Sequence, residues 1–320
     1  MAGTTASAWD AVGHRDITLA AIASLPKECA PFVHEGNFPA RIADQATVPD
    51  RWRGARIAQL QHAANPDHYF DVEDLEAYEL TLASMPNLRH EFIKRLLEIR
   101  VEKGWKLPPK PINPARDTDK TQEWPGFLPW AMCEQYGKLL SSFRVVRTLE
   151  ALNDPKRSDQ LEQAHADATV QMGILSHFAG DAAQPLHTTK HHHGWVGENP
   201  KGYTTDRGIH SYIDGGIVTH HSIGSAQIGA AMKSITPPAI EATDPWSEVL
   251  AHVQRSFEKV EAVYELKKSG ELEQAKGKEF IESRMADGAV MLAAMYRAAW
   301  EQATPGSKDI EDFKRYDGVR

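Results

Sequence analysis

Apolar residues recur along most of this chain at the three- and four-residue spacing of helices buried on one side. Ile17, Ala21, Ile22 and Leu25 carry one such stripe up to Pro26. Leu88, Phe92, Ile93, Leu96, Leu97 and Ile99 carry a second, with Asn87 as its cap and Gly104 at its end. A third starts near Pro129 and runs through Tyr136, Leu139, Leu140, Phe143, Val146 and Leu149 to Asp154-Pro155. The central one holds Leu161, Ala168, Met172, Leu175 and Phe178; Asp159 with Glu162 reads as its capping pair, and Pro185 stops it. Val249, Val253, Phe257, Val260 and Tyr264 predict one helix from Asp244-Pro245 to Gly270, and Phe280 to Trp300 a last one. No segment alternates as a strand would, and no internal repeat stands out. The pattern predicts an all-α fold.

The gaps between stripes set the domain plan. Residues 30–75 are less regular, and proline before an acidic residue marks a loop or turn at Pro49-Asp50 and Pro66-Asp67. Residues 105–125 hold five prolines and read as an extended surface excursion, not a linker, because the paired motifs described below lie on both sides of it. The tail beyond Pro305 is polar and expected to be loose. Residues 1–8 then form a leader, 9–303 a single multi-helix domain and 304–320 a polar tail.

Composition narrows the partners. The 320 residues, 41% hydrophobic and 25% charged, suit a globular protein with a sizeable core. A formal charge of −8 provides no global basic field to attract a nucleic acid or an anionic membrane, which argues against a protein that wraps DNA. It leaves a phosphodiester substrate open, because bound cations would reverse the sign locally. The two cysteines, Cys29 and Cys133, form one disulfide or none. No apolar run is long enough to span a membrane, so stable membrane insertion is not expected, and nothing calls for more than a monomer. Ala6-Ser7-Ala8 has the small-x-small form of a signal-peptidase site, although no apolar segment precedes it here.

The candidate chemistry gathers at the end of the central stripe. His177 and Asp181 stand at i and i+4, so imidazole and carboxylate share a helix face, and His187 follows just beyond the proline stop. His210 and Asp214 repeat the pair. One His-x3-Asp pair is usually a surface pair or a satisfied core histidine; two of them, with His187 between, point to metal. Imidazole and carboxylate without cysteine suit zinc in a hydrolytic site. His191-His192-His193 reads as solvated loop near the mouth of such a site, and His14, taken alone, as a solvated residue near a helix start.

Collected in order, Trp9, His14, Asp50, His68, His177, Asp181, His187, His210 and Asp214 resemble the zinc-dependent phospholipase C and single-strand-specific nuclease superfamily, over most of the chain from Trp9 to Asp214. His177-Phe178-x-Gly180-Asp181-x-x-Gln184-Pro185-Leu186-His187 and Trp9-x4-His14 carry the resemblance; the later helices match only in general character. It implies an all-α domain with a cleft holding three zinc ions. One would take Asp50, His68, His177 and Asp181, a second His187, His210 and Asp214, and a third His14, Asp181 and the backbone amine and carbonyl of Trp9. Asp44 competes with Asp50 for its place; Asp50 is preferred for the Asp50-x-x-Arg53 spacing. A Trp9 amine requires a cut after Ala8, which implies export to the periplasm or the outside of the cell.

The resemblance also implies a reaction, phosphodiester or phosphomonoester hydrolysis by a zinc-activated water, with Arg53 clamping the phosphate. Single-stranded nucleic acid or nucleotides are the favoured substrates. In the nucleases an aromatic after the histidine stacks on a base and an Asp beyond it holds the base edge; Tyr69 and Asp71 are the matching positions. Phospholipase C activity is the alternative, since His210-Ser211-Tyr212 looks closer to that branch and a clear Gly-Gly-Asn after His187 is missing. A secreted, non-catalytic zinc-binding protein is the other, and the filling of every ligand position speaks against it.

Overall fold

In a computed structural model that describes residues 9–241 and 243–316, the helix Ser158–Ala183 runs through the middle of the protein. Every residue from Met172 to Ala183 is buried. Five helices pack on it: Leu128–Leu152, Ala275–Gln302, Phe38–Gln45, Ala11–Ser24 and Trp246–Phe257. A helix surrounded in this way must be apolar or small on all sides. Gly173, Ala179, Gly180, Ala182 and Ala183 meet that demand. A Cβ on Gly173 would lie 2.3 Å from Gln45 Cβ and 2.6 Å from the Ile42 carbonyl oxygen. From the other side, a Cβ on Gly288 would lie 3.0 Å from Ala183 Cβ.

Beside this axis sits an aromatic layer. Phe92 stacks on Trp130 at 4.3 Å between ring centres, and Phe127, Phe70 and Trp246 close around them. Such edge and offset contacts add to the burial of large rings. Among the described residues there is no strand, only an isolated bridge between Phe70 and Gly126. The result is a single all-helical domain, and among the described residues no helix is long and apolar enough to cross a membrane. Cys29 and Cys133 are unbonded; burial pushes the Cys29 thiol up to about 12.

Several boundaries differ from the sequence reading. Asp50 lies on a short helix, Val48–Gly54, not in a loop, because a proline in the first turn starts a helix as readily as it marks a turn. The central helix begins at Ser158 directly after a turn capped by Asp154, which takes the Lys156 amide at 3.0 Å, so Asp159 and Glu162 do not cap it. The Leu88 stripe starts with Leu88 as its cap, while the Asn87 side chain donates to Asp244 instead. The expected helix to Gly270 is two, Trp246–Phe257 and Val260–Ser269. A tight bond from the Lys259 amide to the Ser256 carbonyl ends the first. The tail is ordered as a helix, Ser307–Tyr316, because Phe313 packs on the core under the Arg157 guanidinium. The leader at 1–8 lies outside the described residues.

Gly173→Ala is expected to destabilise the protein by about 1–3 kcal/mol, since backbone as well as side chain must move aside. Gly137→Ala, on an equally long helix with no atom within 4 Å of the new Cβ, should be neutral or stabilising by up to about 1 kcal/mol. Urea unfolding of the two variants checks this, and equal effects would remove the packing argument.

Candidate metal centre

The end of the central helix, where Asp181 has no solvent exposure, collects histidines from five separate segments. His177 and Asp181 come from the helix itself, one turn apart. His187 follows on the turn Pro185–His187, after Gln184 has left the helical region at φ −87° and ψ 116°. His14 arrives on Ala11–Ser24, whose first turn is capped by Asp10 through the Val12 and Gly13 amides. His68 ends the 3-10 turn Asn65–His68, and Asp50 stands on Val48–Gly54. His210 and Asp214 come from Ile209–Ser211 and the π-helical turn Tyr212–Gly216. Gly215 lets this turn lie against the chain start, since a Cβ there would meet Asp10 Oδ2 at 2.5 Å.

Three groups of donor atoms result: His14, His177 and Asp181; Asp50, His68 and His177; His187, His210 and Asp214. Asp181 joins the first two, with Oδ1 3.3 Å from His14 Nε2, and Oδ2 3.0 Å from His68 Nδ1 and 3.3 Å from His177 Nε2; the outer nitrogen of His187, from the third, lies 3.9 Å away. His177 belongs to two groups, and its ring stacks on His14 at 4.0 Å. Asp50, not Asp44, joins His68 and His177. Asp44 sits half-exposed in ion pairs with Arg15 and Arg51.

The tautomers can be read from the backbone. A carbonyl only accepts, so His177 Nδ1 donates to Ala46, His187 Nδ1 to His68 and His210 Nδ1 to the His192 carbonyl. In the neutral form of each ring, the form that binds metal, Nε2 then carries a lone pair. His187 Nε2 and His210 Nε2 face one another at 2.9 Å, and Asp214 Oδ2 lies 3.1 Å from the second without a hydrogen bond of its own. Three converging lone pairs repel one another unless a cation sits among them. The outer nitrogen of each ring bonded to a carbonyl is the usual support of a metal-binding histidine. Gln184 completes it by donating to Asp214 Oδ1 at 2.6 Å. Both nitrogens of His14, Nε2 of His68 and Oδ1 of Asp181 are likewise buried without a hydrogen bond. The residues present therefore fit metal ions.

Burial and charge set the protonation. Burial alone would raise the Asp181 carboxyl, but the surrounding imidazoles outweigh it and hold it well below its ordinary range. Burial pushes His68 down to about 4 and His187 well below normal. It pulls on His177 too, but Asp181 and Asp50 overcome it and hold that imidazole above its ordinary value. Asp50 is lowered despite burial by His177, His68 and Arg53. Asp214 is raised, mainly by burial.

The remaining sequence candidates are placed as follows. Trp9 is fully buried and its indole donates to the Gly180 carbonyl at 2.8 Å; its own carbonyl accepts the His14 amide at 3.2 Å. Arg53 pairs with Asp50 at 3.4 Å and keeps part of its guanidinium in solvent. Tyr69 is half-buried, 6.5 Å ring to ring from His192. Asp71 is buried: Oδ2 pairs with Lys110 at 3.4 Å, while Oδ1 has no hydrogen bond and lies 3.8 Å from His192 Nδ1. The Pro-rich excursion thus brings Lys110 to the site, held also by Asp74 and the Trp124 carbonyl. Nothing in the sequence singled out this lysine. Nor are the three loop histidines simply solvated. His191 is buried and stacked on Trp195 at 3.9 Å, and His193 lies 5.2 Å from the His210 ring with its Nδ1 buried. The aromatic Trp195 four residues after His191 was the available signal. No model of a known protein family matches the chain, and no curated protein does.

Because the two oxygens of Asp181 face different histidines, Asp181→Ala should remove two metal equivalents and Asp214→Ala one, read by elemental analysis after dialysis against excess Zn2+. Equal losses would refute the sharing. A cation at 100 times its dissociation constant should stabilise the fold by about 2.7 kcal/mol, and a chelator should reverse the gain. Metal must displace the proton that Asp181 and Asp50 hold on His177, so affinity should fall with decreasing pH, approaching about tenfold per unit once that proton is bound. Isothermal titration at pH 8, 7 and 6 measures it; constant affinity would contradict the assignment.

Proposed function

We propose that the protein is an exported zinc-dependent phosphodiester hydrolase acting on single-stranded nucleic acid or nucleotides. The observation that carries the reading is Asp181, one buried carboxylate whose Oδ1 faces His14 and whose Oδ2 faces His68 and His177. Several ions held next to one another suit phosphoryl transfer, in which charge develops on the attacking, equatorial and leaving oxygens together. Zinc bound by these imidazoles and carboxylates supplies a water of near-neutral pKa and charge relief on the phosphate. The protein's own residues do the rest. The Ala46, His68 and His192 carbonyls fix the imidazole tautomers, and Gln184 fixes Asp214. Asp50 stays ionised at the edge of the cluster, able to hold a proton from the attacking water. Arg53, partly in solvent beside it, presents guanidinium donors to the phosphate oxygens. Tyr69 offers a ring for a base, and Asp71 Oδ1 an acceptor for its edge. Export rests on Ala6-Ser7-Ala8 and on the amine at Trp9 that a cut there would create.

A second reading, phospholipase C, is favoured by one observation: Lys110 already occupies Asp71 Oδ2, leaving a base edge a single carboxylate oxygen. The two readings share the metal chemistry and differ in what the excursion around Lys110 admits.

The chain starting at Trp9, loaded with zinc, should cleave single-stranded DNA or RNA, and chelation should abolish it. Arg53→Lys should lower kcat/KM about 100-fold, because a point charge replaces a planar fork at the phosphate. Hydrolysis of phosphatidylcholine alone would select the second reading. Bound zinc without turnover of either would make the protein a zinc binder and overturn both.

A further inference from the structure

On another face, the helices Ala11–Ser24, Ser225–Met232 and Ala275–Gln302 border a cavity of about 660 Å3. That is the size of an ordinary small-molecule site. Its large side chains are aliphatic: Leu19, Leu25, Met232, Ile235 and Val290. Between them the lining is short: alanines, Gly229, two serines and two prolines. Atoms lining an unfilled space lack partners across it, and that is the condition under which an apolar guest adds dispersion energy. Two cations, Lys233 and Arg297, complete the lining, and none of the lining residues is acidic. Arg297 shares its guanidinium with Glu301 at 2.7 Å, while Lys233 has no ion-pair partner among the described residues. In a chain of formal charge −8, an apolar chamber whose own lining carries two cations and no acid, one of those cations unpaired among the described residues, favours a guest with one anionic end.

We propose that this cavity binds a single-chain fatty carboxylate, its alkyl chain along the aliphatic wall and its head group at Lys233 and Arg297. A guanidinium matches a carboxylate in geometry as well as charge. No metal-donor residue lines the cavity, so the proposal stands apart from the hydrolase reading.

The test is calorimetric titration of the zinc-loaded full chain with octanoate, decanoate and laurate. Each added pair of methylenes should tighten binding about tenfold until the chamber is full. Dodecyltrimethylammonium, with the same chain and the opposite charge, should bind at least tenfold more weakly than laurate. Gly229→Leu puts a side chain at the chamber wall; its Cβ meets nothing within 4 Å, and leucine suits a helix better than glycine. It should weaken laurate at least tenfold and leave the zinc content unchanged. Lys233→Glu should reduce or reverse the head-group preference. No laurate binding, equal binding of the two head groups, or unchanged binding by Gly229→Leu overturns the proposal. So does a dimer that Gly229→Leu dissociates, which would make the groove an interface between copies.

Discussion

An ionised carboxylate with no solvent exposure is costly unless opposite charge or donors surround it on every side. Asp181 is such a group, and its neighbours can be understood as the answer to it. Four histidines from four separate segments approach its two oxygens. Each of those segments has to be held in place by something other than Asp181. The N-terminal helix is fixed by the Trp9 indole on Gly180 and by the Asp10 amide on the Asp214 carbonyl. The turn with His68 is fixed through its carbonyl on His187. The supports are thus mutual: one ligand's backbone orients another ligand's ring. Removing any of them leaves a buried polar atom unmatched elsewhere, so the site and the fold around it stand or fall together.

This crowding is possible only because the central helix gives up side-chain volume where the site needs space. Gly180 lies against the His14 ring, where a Cβ would come within 2.9 Å of Nδ1. Ala179, Ala182 and Ala183 allow the neighbouring helices to come close. What the helix loses in large apolar contacts is made up by the aromatic layer around Trp130 and by the long helix Ala275–Gln302.

The helical architecture was legible because its stripes are long and regular, and the metal-donor candidates because two His-x3-Asp pairs flank one proline stop. The structure brings His14, Asp50, His68, His177 and Asp181 together, and His187, His210 and Asp214 beside them. What periodicity could not convey was tertiary. The break after Phe257 leaves the apolar spacing intact, so the pattern runs through it. The helix at Ser307 depends on a single aromatic finding the core. Lys110 is one of many lysines until the excursion folds back and sets it between Asp71 and Asp74. His14 looked solvated because burial of a histidine near a helix start is decided by what lies opposite, here residues far along the chain.

That separation bears on how the protein is made. Trp9 and the Gly180 carbonyl it binds are 171 residues apart, and the Asp10 amide waits for a partner later still, at Asp214. Contacts of such range form late, because the loop between them must first be closed. During synthesis the first helix emerges with His14 long before any of its companions exist. A nascent chain of fewer than about 214 residues lacks the complete donor set. Assembly of this centre is therefore a late event in the life of each chain, tied to the closing of its beginning onto its middle.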